Sequence, residues 1–140
     1  MPIENLARSD VVTAREDESV QELATRMDES KVGSIVITDG TEPIGIVTDR
    51  DLALRVIGDG TDPASTTAGE VMTDSLTTVD ETDGFYRATE LMSEHGIRRL
   101  PVCNENNELV GIITSDDLTE LLAEEQMQLS DVIQAQRPAY

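Results

Sequence analysis

A unit of about 65 residues occurs twice in this chain, and this repeat constrains the fold more than any other feature. At an offset of 65 residues, segment 11–37 aligns with 76–102, and their apolar positions coincide. One extra residue in the next turn changes the offset to 66, so that 45–52 aligns with 111–118, where five of eight residues are identical. Because self-similarity at a fixed period is typical of duplicated structural units, we expect two copies of one fold.

Each copy shows the same order of local patterns. In the first copy, residues 20–27 carry apolar side chains at helical spacing, and 34–37 form a short apolar run typical of a buried strand. A second strand at 44–47 leads into a helix beginning near Thr48. The corresponding segments of the second copy are 85–92, 100–103, 109–113 and a helix from Thr114. The predicted unit is therefore strand, helix, strand, strand, helix, an α/β (α+β) architecture.

The stretch between the copies sets the predicted boundaries. We expect a first unit at 3–60, a linker at 61–67 and a second unit at 68–125, since residues 58–67 are rich in Gly, Asp, Pro, Ser and Thr. A unit of this size buries too little surface alone, so the two should pack together. The remaining residues, 126–140, form a C-terminal extension that is either an oligomer contact or a solvated end.

Charge is the strongest compositional signal. The chain has 29 acidic and 10 basic residues, a formal net charge of −19, which disfavours binding to nucleic acid. Lys31 is the only lysine, and the acidic residues are spread along the chain, as in proteins of salt-accumulating halophiles, where salt screens the repulsion. No apolar run is long enough to span a bilayer and residues 1–10 contain no signal-peptide core, so we expect no membrane contact and a cytoplasmic location.

A threonine and an aspartate recur at the start of the last helix of each copy. Thr48 and Thr114 can offer a hydroxyl at a helix N-terminus, and Asp51 and Asp117 follow three residues later, on the same face. An ionised carboxylate only accepts hydrogen bonds, so it suits the two hydroxyls of a ribose. The same residues could simply cap the helix, and the pattern leaves both roles open.

The segment His-Gly-Ile-Arg-Arg-Leu-Pro-Val at 95–102, followed by Gly-Ile-Ile-Thr-Ser-Asp-Asp-Leu at 111–118, resembles a cystathionine-β-synthase (CBS) domain. Residues 45–52 look like the motif of a second copy, and the resemblance covers about residues 3–125. It implies a pseudo-twofold CBS pair, or Bateman module, that commonly associates into homodimers. It also implies clefts between the units that bind AMP, ADP, ATP or S-adenosylmethionine.

The resemblance implies which residues would contact each part of such a ligand. Those expected at the ribose and phosphates are Thr48, Arg50, Asp51, Thr114, Asp117, Arg98 and Arg99. Those expected in an apolar slot for adenine, if they are not plain core residues, are Thr13, Ala14, Val32, Val36, Thr78, Val79, Ile97 and Pro101. The copies differ in their charges, with Arg50 aligned to Asp116, so we expect two clefts of unequal affinity.

Known catalytic signatures are missing from the sequence. There is no phosphate-binding Walker loop, Rossmann glycine pattern or nucleophile elbow, and one His and one Cys are too few for an ordinary zinc site. We read Cys103 as a core residue and expect no catalytic residues, no metal site and no required cofactor. The favoured hypothesis is a stand-alone regulatory module that senses an adenosine-containing ligand and signals to an effector protein that the sequence does not identify. The alternatives are an interaction module without a ligand and a sensor of ionic strength.

Overall fold

The computed structural model describes residues 1–139. A 3₁₀ turn at Ile3–Asn5 precedes the first unit. That unit comprises β1 (Thr13–Ala14), α1 (Val20–Ser30), β2 (Ser34–Asp39), β3 (Glu42–Thr48) and α2 (Asp49–Leu52), which continues as a π-helical turn, Ala53–Ile57. After α3 (Ala68–Val71) come β4 (Val79–Asp80), α4 (Phe85–His95), β5 (Arg99–Cys103), β6 (Leu109–Thr114) and α5 (Ser115–Ala135). The predicted order of strand, helix, strand, strand, helix is confirmed in both copies.

Each unit has its own three-stranded sheet. In the first, β1 pairs in parallel with β2, which pairs antiparallel with β3, and the second repeats this order with β4, β5 and β6. The helix between the first two strands ends at a left-handed residue in both units, Lys31 with φ 56° and Gly96 with φ 63°. The turn therefore has the same geometry in both units, although only the second uses glycine, the residue that adopts this conformation without strain.

Two separate hydrophobic cores lie under the sheets, and both are aliphatic. Leu23, Ile35 and Val47 are fully buried in the first core, and Leu100 and Ile113 are fully buried in the second. Fully burying one such side chain contributes about 1.5–3 kcal/mol, so a few of them per unit supply the driving force that aromatic residues often provide.

The segment that precedes each unit packs on the other unit. Ile3 lies in the second core, whereas Ala68 and Val71 lie in the first. The exchanged segments run directly over the glycine of each Gly-Ile-x-Thr motif. An added Cβ on Gly45 would lie 2.5 Å from Met72 Sδ, and one on Gly111 would lie 2.9 Å from the Arg8 carbonyl oxygen. Residues assigned to one unit by the predicted boundaries thus pack in the core of the other unit.

The two units form a pseudo-twofold pair through the faces of their sheets that point away from the cores. Val36 on β2 and its equivalent Pro101 on β5 are fully buried but belong to neither core. The hairpin turns also meet, since the backbone N–H of Leu109 donates to the carbonyl of Thr41 over 2.8 Å. This arrangement leaves a cleft on each side of the pseudo-twofold axis.

Helix α5 continues well past the body of the second unit. It has 21 residues, and beyond Leu118 its apolar side chains are mostly exposed, including Leu129 and Ile133. The helix covers most of the predicted extension, whose last residue, 140, lies outside the described residues. Among residues 1–139, no helix is both long and apolar enough to cross a membrane.

Candidate ligand-binding clefts

Each cleft lies between the start of the final helix of one unit and the helix–strand turn of the other. The Thr48 cleft, of about 280 Å³, is formed by Thr48, Asp51 and their neighbours together with residues 96–99 and Thr73. The Thr114 cleft, of about 340 Å³, is formed by Thr114 and Asp116 together with residues 30–34 and Arg8. Because the residues correspond at offsets of 65 and 66, the clefts are pseudo-symmetric versions of one site.

The Thr–Asp pairs form reciprocal capping boxes. Thr48 Oγ1 accepts from the Asp51 N–H (3.1 Å), and Asp51 Oδ2 accepts from the Thr48 N–H (2.9 Å). Thr114 and Asp117 make the same two contacts, at 3.2 and 3.0 Å. These bonds satisfy helix-end N–H groups and involve only one oxygen of each carboxylate. The structural role therefore leaves the other oxygen, Oδ1, available in both motifs.

Those second oxygens meet different partners. Asp117 Oδ1 accepts from Arg8 through Nη2 (2.8 Å) and Nε (3.2 Å), and Asp117 does not itself line the Thr114 cleft. Asp51 Oδ1 accepts no hydrogen bond from residues 1–139, and its nearest cation is Arg55, at 3.9 Å. The difference follows from the exchanged segments, because the position equivalent to Arg8 is Thr73 in the other unit. Asp51 is thus the more accessible acceptor.

The Arg8 contact also changes the acidity of Asp117. Burial of the carboxyl raises its pKa, but the hydrogen bonds from Arg8 and Thr114 outweigh this, so the pKa of Asp117 lies below its ordinary value. The same contact raises the pKa of the Arg8 guanidinium. Asp117 is therefore an ionised carboxylate with a cation beside it.

The predicted arginines lie at the clefts. Arg50 and Arg98 line the Thr48 cleft, and Arg99 lines both clefts. Two further basic residues, Arg8 and Lys31, line the Thr114 cleft and were missed by sequence reasoning. No pattern in the sequence marks Arg8, because its equivalent in the repeat is Thr73 and its contact with Asp117 spans 109 positions of the chain.

Only part of the predicted adenine slot lies at the clefts. Val32 lines the Thr114 cleft and Ile97 the Thr48 cleft, in equivalent positions. The other six residues line neither cleft: Ala14 and Val79 belong to the cores, Val36 and Pro101 lie between the sheets, and Thr13 and Thr78 lie at the first strands. The apolar walls of the Thr114 cleft instead include Val11 and Val12.

The environment of Cys103 and the spacing of the acidic residues can be described for residues 1–139. Cys103 is buried, and burial raises the pKa of its thiol, which makes the nucleophilic thiolate less abundant. Within the described part of the chain, no three His, Cys, Asp or Glu side chains are grouped closely enough to hold a metal ion.

Comparisons with known proteins agree with this architecture. The sequence profile described as "CBS domain" matches residues 3–58 and 68–124. An uncharacterized protein of Methanopyrus kandleri is 39% identical over 117 residues, which cover 83% of this chain and 60% of that protein.

Two solved structures are similar over most of their length. Hypoxic response protein I, solved with two coordinated zinc ions, has a TM-score of 0.77 and 32% identity, covering 86% of this chain and 98% of that one. A CBS domain protein of Pyrobaculum aerophilum, in complex with AMP, has a TM-score of 0.76 and 30% identity, covering 84% and 89%.

Proposed function

Since this chain belongs to the CBS domain family, with both of its units matched, we propose that it is a regulatory module that binds an adenosine-containing ligand in the clefts between its units. AMP, ADP, ATP and S-adenosylmethionine are the candidate ligands, and AMP is bound by the similar protein of Pyrobaculum aerophilum. The Thr–Asp motif would hold the ribose, and the basic residues of the same cleft would hold phosphate.

The observation that carries this proposal is the distribution of charge. Five of the ten basic residues of the chain line the two clefts, whereas only four of its 29 acidic residues do. On a protein of net charge −19, such a local excess of cations attracts an anion to the clefts rather than to the surface at large. Arginine also forms paired hydrogen bonds with phosphate oxygens. The charge therefore favours AMP, ADP or ATP over S-adenosylmethionine, whose sulfonium is cationic.

Regulation would follow from the construction of each cleft. A ligand in the Thr48 cleft contacts Asp51 of the first unit and Arg98 of the second, so it binds best to one relative position of the units. A ligand shifts an equilibrium only by its difference in affinity for the two states, and a cleft shared between units provides that difference. An effector protein, or a second copy in a homodimer, would detect the change.

A thermal-shift assay in molar KCl tests the proposal with AMP, ADP, ATP, adenosine and S-adenosylmethionine. A ligand at a hundredfold its dissociation constant stabilises by about 2.7 kcal/mol, which raises the melting temperature by about 5–10 °C for a chain of this size. The shift should be larger with phosphate than without it. Arg98→Glu should reduce the AMP shift, whereas Arg137→Glu, a charge reversal just beyond α5, should not. If none of the five compounds raises the melting temperature, the proposal is rejected.

A role in protein interaction without a ligand is the second candidate, and helix α5 favours it. Leu122, Leu129, Val132 and Ile133 recur at helical spacing and are largely exposed, which is typical of a helix face that packs on another surface.

The acidic surface is compatible with a third function, sensing of ionic strength, and with a halophilic, cytoplasmic protein. Light scattering across a salt series tests the third function, since an unchanged mass would exclude it.

A further inference from the structure

One arginine lies between the two clefts and is shared by them. Arg99, the first residue of β5, lines both the Thr48 cleft and the Thr114 cleft, whereas the other four basic residues each line one. It pairs with Thr114 across the hairpin, so the backbone of β5 and β6 fixes its base. From there the side chain reaches the first unit. A Cβ atom added to Gly33 would lie 3.2 Å from Nη2 of Arg99 and 3.2 Å from Oδ2 of Asp49.

The guanidinium of Arg99 is uncommitted. Throughout residues 1–139, no hydrogen bond from its side chain and no ion pair within 4.0 Å is found, although the residue is half-buried. Among residues 1–139, no side-chain donor or acceptor is completely buried without a hydrogen-bond partner. The unpartnered N–H groups of Arg99 are therefore open to solvent. Five N–H donors in a rigid planar fork are thus available to an anion on either side.

The pseudo-twofold symmetry does not supply a second such cation. The residue equivalent to Arg99 is Ser34, and the residue equivalent to Arg98 is Gly33. Gly33 is also what gives the guanidinium room at the centre of the molecule, because any side chain there would lie against it. Two clefts, each with its own Thr–Asp motif, therefore share a single central cation.

We infer that Arg99 couples the two clefts, so that a phosphate-bearing ligand in one weakens the binding of a second in the other. This inference rests on the proposed function and adds a regulatory property to it. One guanidinium cannot place the same donors on two phosphates on opposite sides, so the first ligand to bind withdraws the contact from the second. By linkage the effect is reciprocal. Because a charge-assisted hydrogen bond to arginine is among the stronger polar contacts, its loss should weaken binding about tenfold.

Isothermal titration with AMP measures this coupling without assuming which cleft fills first. The single-cleft association constants come from Asp51→Ala, which retains the Thr114 cleft, and from Asp117→Ala, which retains the Thr48 cleft. Their product, divided by the overall constant for two AMP on the wild-type chain, is the coupling factor. We expect a factor of about ten for AMP and about one for adenosine, which has no phosphate to compete for Arg99.

The same titrations with Arg99→Ser, which copies the equivalent Ser34, identify the cause. Competition for Arg99 predicts weaker AMP binding in both clefts and a coupling factor near one. Direct repulsion between two bound phosphates would leave the factor above one, or raise it, and would refute the inference. A factor of one in the wild-type chain with two AMP bound would also refute it, while leaving the proposed function intact. If AMP binds neither the wild-type chain nor any variant, the coupling is refuted as well, whereas the proposed function is rejected only if none of the five compounds of the thermal-shift assay binds.

Discussion

Replacing Arg8 by threonine tests whether the Thr114 cleft is closed by its own chain. In the structure, two N–H groups of Arg8 bind Oδ1 of Asp117, the oxygen that the capping box leaves available. A ribose can use that oxygen only after the arginine has moved. Arg8→Thr removes the competitor and reproduces the composition of the other cleft, where Thr73 occupies the equivalent position.

The exposure of the two side chains sets the magnitude. The Asp117 side chain is 12% exposed, but that of Arg8 is 63% exposed, so water competes for the guanidinium. Ion pairs of this exposure contribute at most about 1 kcal/mol. A ligand that must break the Arg8–Asp117 pair loses this amount of binding free energy. A difference of about 1 kcal/mol corresponds to a factor of about five in an equilibrium constant. We therefore expect adenosine to bind the Thr114 cleft up to about fivefold more tightly after Arg8→Thr.

Titration calorimetry with adenosine on an Asp51→Ala background, which leaves only the Thr114 cleft, provides the measurement. Adenosine is the right probe because Arg8 could also contact a phosphate, and that loss would offset the gain with AMP. Arg15→Thr is the matched control, since it removes an exposed arginine–aspartate pair, with Asp17, that lines neither cleft. Unchanged or weaker adenosine binding in Arg8→Thr would show that the pair does not obstruct the ribose position.

Two further predictions concern the exchanged segment and the pH dependence. Gly45→Ala should destabilise the fold by about 1–3 kcal/mol, because its Cβ would lie 2.5 Å from Met72 Sδ and 3.0 Å from a backbone oxygen. Urea unfolding measures this, with Gly84→Ala, which meets no atom within 4 Å, as control; equal stabilities would contradict the packing. Folding lowers the pKa of Asp117, so the ionised carboxylate stabilises the fold. This stabilisation should be complete above the ordinary aspartate pKa of about 3.9 and should be lost as the pH falls through the lower pKa of the folded state. Asp117→Asn should therefore remove it only at the higher pH values. Equal pH profiles of the free energy of unfolding for the wild-type and variant chains would refute it.

The adenine slot shows where local reasoning was insufficient. The sequence predicts Val36 and Pro101 as slot or core residues. Strand alternation places both on the face opposite the core, where the two sheets bury them. Sequence spacing shows that a strand has two faces, but not which partner covers the second one. Val32 and Ile97 do line the clefts because they follow the helix-ending turn, a position that the repeat marks in both units.

Sequence patterns alone establish the duplicated unit, the order of its elements and the threonine and aspartate at the start of each final helix. These features depend on apolar periodicity and on contacts within three or four residues, which a linear pattern records. The folded structure was needed to show that the leading segments exchange units, that Arg8 binds Asp117 across 109 positions of the chain, and that Arg99 lies between two clefts. Such contacts follow from how the two sheets pack across the pseudo-twofold axis, and no local pattern in the chain specifies that packing.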